Sequence, residues 1–256
     1  MSEIQACILE SARIKFKEIV EQRGLSDVAV SVVVRPLTAE EAIGKPGRRD
    51  FPIIEGKERV IEAEVLGAKG HAFTDSPADF TGRLADILNL PLKMSRDRAI
   101  YVAALNAVLG HLGLAEKTVH CKDEEPEKCG PEIASYVLNK FGKIKVGLVG
   151  LNPAIAEALI ETFGQSNVKI TDLNKQNIGS EKHGVQIWDG KEMFQDLVKQ
   201  SDVVIITGTT LVNGTFDSIM DCIRNYGKDY LIYGVTPAGV CKLMGLNRIC
   251  PYGRNC

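Results

Sequence analysis

The chain has 256 residues and a formal charge of −2, with 45% apolar and 25% charged residues, which is close to the average soluble protein and far from disordered or fibrous compositions. No long Lys/Arg stripe offers a footprint for a phosphate backbone, and no stretch approaches the roughly 18 uninterrupted apolar residues of a spanning helix, so nucleic-acid and membrane partners are not expected. The length suits one large domain or two modest ones.

Met1 to Glu10 lacks a basic region followed by an apolar run, so no secretory signal is read there and a cytoplasmic protein is expected. Seven cysteines, an odd number spread over the whole length, fit reduced thiols better than a disulfide framework. Ile4, Ile8, Ala12, Phe16 and Ile19 recur at helical spacing, with Gly24 as the stop. Val28–Val34 is almost wholly β-branched and Arg59–Leu66 alternates, which predicts two or three antiparallel strands. Between them, Gly44–Pro52 gathers turn formers with Lys45, Arg48 and Arg49, an exposed loop within reach of a ligand. A helix starting near Ser95 places Ile100, Ala103, Ala104, Ala107, Val108 and Leu112 on one face.

The texture then changes. Ile144–Val149, Val168–Thr171, Val203–Thr207 and Tyr230–Val235 read as buried strands alternating with helices at Pro153–Phe163, Glu192–Val198 and Phe216–Arg224. This predicts an α/β fold with a Rossmann-like doubly wound parallel sheet, preceded by a small α+β domain, with the boundary near Leu90–Ser95: residues 1–93, then 94–256 with a leading helical segment. Ligands of such sheets bind beyond the carboxyl ends of the strands, which selects the loops Gly150–Asn152, Asp172–Asn174, Gly208–Thr215 and Thr236–Gly239.

Within those loops, Asp172 lies 22 positions after Gly150, near the spacing of a ribose-binding acid in dinucleotide sites. Asn152 and Ile155 occupy the second and third glycine positions of that fingerprint, so a nucleoside-, pterin- or adenosylmethionine-like ligand fits better than a dinucleotide. The plain alternative is a helix capped by Asn152, with Asp172 solvated. Thr207–Thr215 follows a buried strand with four hydroxyls; Gly208, Thr209, Thr210, Asn213, Gly214 and Thr215 suit an anion or a polar ring edge. The plain alternative there is Thr215 capping the next helix. Thr236 borders the last loop.

His120, Cys121, Asp123 and Glu124 begin a run that reaches Cys129, while Cys250 and Cys256 stand near the C-terminus. Imidazole and thiolate suit a transition metal, and the carboxylates suit acid–base work when burial raises their pKa. The eight-residue step from Cys121 to Cys129 matches no usual zinc knuckle, and the alternative is an acidic helix start with scattered thiols. Cys7, Cys222 and Cys241 read as core, and His71, His111 and His183 as structural. No G-x-S-x-G elbow or P-loop occurs, which removes the serine-hydrolase and NTP-hydrolysing readings.

The strings TVHCKDEEPEKC, GLVGLNPA, TDLN, SDVVIITGTTLVNGT, YGVTPAG and CPYG, in this order, closely resemble the putative heavy-metal chelation family of prokaryotic proteins. The resemblance spans essentially the whole chain. It implies an enolase N-terminal-like α+β domain, a Rossmann-like domain partly similar to methyltransferases, and a ligand cleft between them. It implies heavy-metal chelation, or a condensation or hydrolysis step in the synthesis of pterins, flavins or siderophore-like molecules. Carried over by motif, His120, Cys121, Asp123 and Glu124 would face the cleft with Asn152, Asp172, Thr209, Thr210 and Asn213. The expected partner is a small molecule or metal chelate, with His120, Asp123 or Glu124 in proton transfer, and a transition metal or a nucleoside- or pterin-like cofactor. The alternatives are a non-catalytic carrier using Cys121, Cys129, Cys250 and Cys256, and an adenosylmethionine-dependent methyltransferase-like protein. A homo-oligomer is left open.

Overall fold

A computed structural model describes residues 7–25, 31–56 and 58–255. Helix α1 (Ile8–Gln22) buries Leu9, Ala12, Phe16 and Val20, and Gly24 ends it in the left-handed region. Ile4, the first residue of the expected apolar stripe, lies outside the described residues. There follow β1 (Ser31–Pro36), α2 (Ala39–Ile43), α3 (Pro52–Glu55), β2 (Arg59–Val65), β3 (Ala68–Thr74), β4 (Phe80–Arg83) and α4 (Leu84–Leu88). The strands form a four-stranded antiparallel sheet in the order β3-β2-β1-β4. The strand expected at Val28–Val34 runs later, to Pro36, and residues 28–30 are outside the described set.

Helix α5 (Ser95–His111) departs from the one-faced pattern expected of it. Every residue from Ala99 to Leu109 is buried, and Asp97 with them. Alanines at 99, 103, 104 and 107 keep the helix slim enough to pack on both sides, and a helix that is apolar all round belongs inside. One side lies on β3, where a Cβ at Gly70 would stand 2.3 Å from the Ala103 carbonyl oxygen and 2.3 Å from the Ala107 nitrogen. The other side meets the second half of the chain.

That half contains α6 (Glu125–Phe141), β5 (Val146–Val149), α7 (Pro153–Phe163), β6 (Val168–Asp172), β7 (Glu181–Lys182), β8 (Val185–Asp189), α8 (Phe194–Gln200), β9 (Val203–Thr207), α9 (Thr209–Asn213), α10 (Phe216–Asn225), β10 (Asp229–Tyr233), α11 (Ala238–Met244) and β11 (Arg248–Ile249). The sheet order is β11-β10-β9-β5-β6-β8-β7, all parallel except the β7–β8 pair. Without the short β7 this is the Rossmann order 3-2-1-4-5-6, and the chain reverses direction between β5 and β9. Asn152 caps α7 by accepting a hydrogen bond from the Ile155 N–H, with Pro153 in the first turn. Among the described residues no helix is long and apolar enough to cross a membrane.

One apolar cluster joins α1 and the antiparallel sheet to α5, α10 and α11, so the two sheets share a core. At its centre Asn106, fully buried on α5, ties both together. Its Nδ2 lies 2.9 Å from the His71 carbonyl on β3 and 3.1 Å from that of Thr236, while its Oδ1 accepts from the Gly239 N–H at 2.8 Å. Replacing Asn106 by Leu strands these backbone groups without partners. Each such group costs about 1–3 kcal/mol, so the loss is expected to be about 3 kcal/mol or more. Urea unfolding of Asn106→Leu checks this, and an unshifted midpoint would refute it.

Candidate functional site

The carboxyl ends of β5 and β9 meet at the reversal point, where open α/β sheets receive their ligands. Gly150 follows β5 at φ +87, and its carbonyl accepts a hydrogen bond from the Tyr233 hydroxyl at 3.1 Å. A Cβ at Gly150 would stand 2.5 Å from the Thr207 methyl group, so the two strand ends are close. Over this edge the antiparallel sheet delivers Glu58, the residue just before β2. Its carboxylate Oε1 lies 3.5 Å from the Thr209 hydroxyl, the outer limit of a hydrogen bond. The residue retains part of its exposure while the carboxyl group itself is enclosed. Desolvation, assisted by the negative charge of Asp172, pushes its pKa up to about 7.

Sequence reading missed Glu58, because nothing in its spacing links position 58 to positions 172 or 209; only the packing of one sheet over the other does. Asp172 is half-buried, and burial raises its pKa against hydrogen bonds that lower it. Its oxygens accept from the Leu151 N–H at 2.7 Å and the Asn174 N–H at 2.6 Å. It braces the loop after β5 and is not the solvated acid of the plain alternative.

The Thr-rich segment is a short helix and not an open loop. Thr210 is buried and donates to the Thr207 carbonyl at 2.7 Å. Asn213 Oδ1 accepts from the Thr215 N–H and hydroxyl, so Thr215 makes no side-chain cap. Gly208 packs against Pro237, Gly214 lies against Arg98, and the buried Thr236 hydroxyl accepts from the Phe73 N–H at 3.0 Å. Of the proposed ligand residues, Gly150, Asn152, Asp172 and Thr209 therefore remain around the reversal point, while Thr210, Asn213, Gly214, Thr215 and Thr236 are engaged in internal contacts. The basic loop is also committed: Arg48 pairs with Asp50 and with Glu157 on α7.

The acidic thiol run needs two corrections. Asp123 and Glu124 are exposed. The Asp123 Oδ1 accepts from the Lys45 N–H at 3.0 Å, and Glu124 pairs with Lys128. The burial that an acid–base carboxylate needs is found at Glu58 instead. His120, expected in proton transfer, is half-buried; burial pushes its pKa down to about 4, and its Nδ1 lies 2.6 Å from the Cys121 carbonyl. The buried His71 is bonded to Glu62 at 3.0 Å and accepts from the His120 N–H through Nδ1. The bond from His71 pulls Glu62 down to about 2. Cys121 is buried and Cys129 and Cys250 are half-buried, and burial raises the Cys250 pKa. Cys256 lies outside the described residues. Among those residues, no group of three or more His, Cys, Asp or Glu side chains is already disposed to hold a metal.

Two open depressions, of about 460 and about 720 Å³, flank the end of α7. They are lined by residues such as Lys145, Thr162 and Asp202, and by Gln165 and His183. Both lie away from the carboxyl edge, and neither gathers the chemical groups found there.

Residues 133–238 match the model of a family, DUF364, whose description reads "Putative heavy-metal chelation". The matched interval contains Gly150, Asn152, Asp172, Thr209 and Tyr233, and leaves out Glu58, Cys121, Cys129 and Cys250. A DUF364 protein of unknown function from Pyrococcus horikoshii superimposes with a TM-score of 0.53 at 18% identity, covering 90% of this chain and 79% of its own. Another of unknown function, from Desulfitobacterium hafniense DCB-2, gives 0.48 at 14% identity, covering 73% and 72%. The first likeness is one of fold alone. No curated protein matches the chain.

A raised carboxyl in the folded state sets a sign for stability. The folded chain holds the Glu58 proton more tightly than the unfolded one, so the Glu58 contribution is undiminished below about pH 4.5 and is lost as pH rises to about 7. Relative to Glu58→Gln, the wild type should lose on the order of 2 kcal/mol across that interval, a value reduced from the full shift for partial exposure. Parallel pH series of chemical unfolding measure it; equal pH dependence of the two proteins would contradict the burial of this carboxyl.

Proposed function

We propose that the chain binds a small polar heterocyclic or metal-chelating molecule at the reversal point of the parallel sheet, beneath the antiparallel sheet. Glu58 serves there as the group that gives or takes a proton. The observation that carries this reading is the single carboxyl group of one sheet enclosed against Thr209 and Asp172 of the other, with its pKa near neutrality. A carboxyl that titrates near 7 changes state at ordinary pH, whereas an exposed one remains ionised.

The surroundings narrow the ligand. The Thr209 hydroxyl offers a donor, the first turn of α7 offers the Ala154 N–H beside Asn152, and the protonated Glu58 donates while its ionised form accepts. Such a set suits ring nitrogens and carbonyls, or the oxygen donors of a chelator, better than a pyrophosphate, for which the glycine positions at 152 and 155 are filled. A condensation or hydrolysis step on a pterin-, flavin- or siderophore-like molecule would use Glu58 in place of Asp123, Glu124 or His120. The division at residues 93 and 94 then separates the part that supplies Glu58 from the part that supplies the sheet edge.

A thermal-shift panel of pterins, nucleosides, and catechol or hydroxamate chelators, run on either side of pH 7, tests this. At least one class should raise Tm, with a pH dependence that Glu58→Gln abolishes and Glu124→Gln retains. A panel without any stabilising compound, or stabilisation indifferent to Glu58→Gln, would defeat the reading.

A further inference from the structure

The edge of the parallel sheet carries a second hydroxyl that the cleft reading leaves unused. Thr207 ends β9 and Thr209 opens α9, with Gly208 between them. A Cβ at Gly208 would collide with the Pro237 ring, so the chain turns tightly against the loop after β10. The turn brings the Thr207 and Thr209 hydroxyl oxygens to 3.1 Å, and the Thr209 N–H donates to the Thr207 hydroxyl oxygen at 3.4 Å. The Thr209 hydroxyl in turn lies 3.5 Å from Glu58 Oε1. Thr207, Thr209 and Glu58 therefore form one hydrogen-bonded chain, and both threonines keep part of their exposure.

A hydroxyl has one proton to donate, while its oxygen can accept from other groups. The direction of the chain is decided by the carboxyl at its end. An ionised Glu58 only accepts, so Thr209 donates to it and Thr207 donates to Thr209. The Thr207 proton is then committed. A protonated Glu58 donates to Thr209, Thr209 donates to Thr207, and the Thr207 proton is released outward. The change takes one proton from solvent at the carboxylate and a rotation of two hydroxyl groups.

The charged and titratable neighbours leave this choice to Glu58. Behind the larger effect of burial, Asp172 of β6 and Asp75, after β3, both oppose its ionisation. Arg59 gives its guanidinium to the Gly56 and Glu58 carbonyl oxygens. Tyr233 of β10, whose pKa burial raises against a hydrogen bond from Thr207, donates its own proton to the Gly150 carbonyl at 3.1 Å, so it meets Thr207 as an acceptor.

We propose that Thr207 is a specificity-determining residue of the cleft: with Glu58 protonated it donates to a ring nitrogen or carbonyl oxygen of the ligand, and with Glu58 ionised it accepts from a ligand N–H or O–H. This rests on the cleft reading above and adds to it that the charge of one carboxyl selects acceptor or donor edges of the ligand at a second position.

Methyl and carboxyl NMR titrations of the full chain test the assignment. In the wild type the Thr207 methyl resonance should shift with the same midpoint as the Glu58 carboxyl. Thr209→Val cuts the chain in the middle and should abolish that shift, whereas Thr209→Ser should keep it. Thr207→Val should weaken Glu58 as an acid by about 2-fold, because a second hydroxyl strengthens the bond to the carboxylate by a fraction of its worth, and Thr207→Ser should restore the wild-type value. A Thr207 methyl that does not follow Glu58 in the wild type, or follows it equally in Thr209→Val, would overturn the proposal and leave the cleft reading in place. A wild-type Glu58 midpoint near 4.5 would bring down both. The wild-type methyl titration decides the matter even if a valine variant fails to fold.

Discussion

A helix buried on every side holds this molecule together. Because α5 has an antiparallel sheet on one side and the Rossmann-like half on the other, neither layer can shift without disturbing the shared core. The Asn106 amide makes the arrangement directional, since it donates to backbone carbonyls of both layers and accepts from the Gly239 N–H. Apolar contact would tolerate sliding, whereas this set of hydrogen bonds is satisfied in one register only. The position of Glu58 over the ends of β5 and β9 follows from that register.

The electrostatics at the edge of the sheet have a stability cost, which points to use. Glu58 sits in a desolvated position close to Asp172, and Asp172 is itself half-buried. Asp172 is compensated by two backbone N–H donors, but among the described residues Glu58 has only the distant Thr209 hydroxyl. Compare Glu62, which also leaves water but gains His71 and Lys69 as partners and stays ionised far below neutrality. Two carboxylates on one sheet thus have opposite fates, one structural and one held near its titration point. Perturbed groups of the second kind concentrate where ligands bind.

The Rossmann-like half was readable because its signals are local. The apolar runs read at 144–149, 168–171 and 203–207 fall on strands at 146–149, 168–172 and 203–207, and the Asn152-Pro153 start of α7 is a side-chain cap visible in two letters. The one-faced reading of α5 failed because alanine is ambiguous: small residues count as apolar on one face and as passive on the other, until a second layer covers them. The Thr-rich segment misled for a related reason, since Thr hydroxyls satisfy their own backbone as readily as a ligand, as Thr210 does. The setting of Glu58 depends on Asp172 and Thr209, both more than 100 positions away, and no local pattern encodes it.

The account therefore stands on one titration. Carboxyl-carbon NMR of the full chain, with Glu58 assigned by comparison with Glu58→Gln, reads the pKa of that group directly. A midpoint near 7 is expected from its enclosure against the parallel sheet. A midpoint near the ordinary 4.5 would mean that the carboxyl stands in water, and the cleft reading would fall with it.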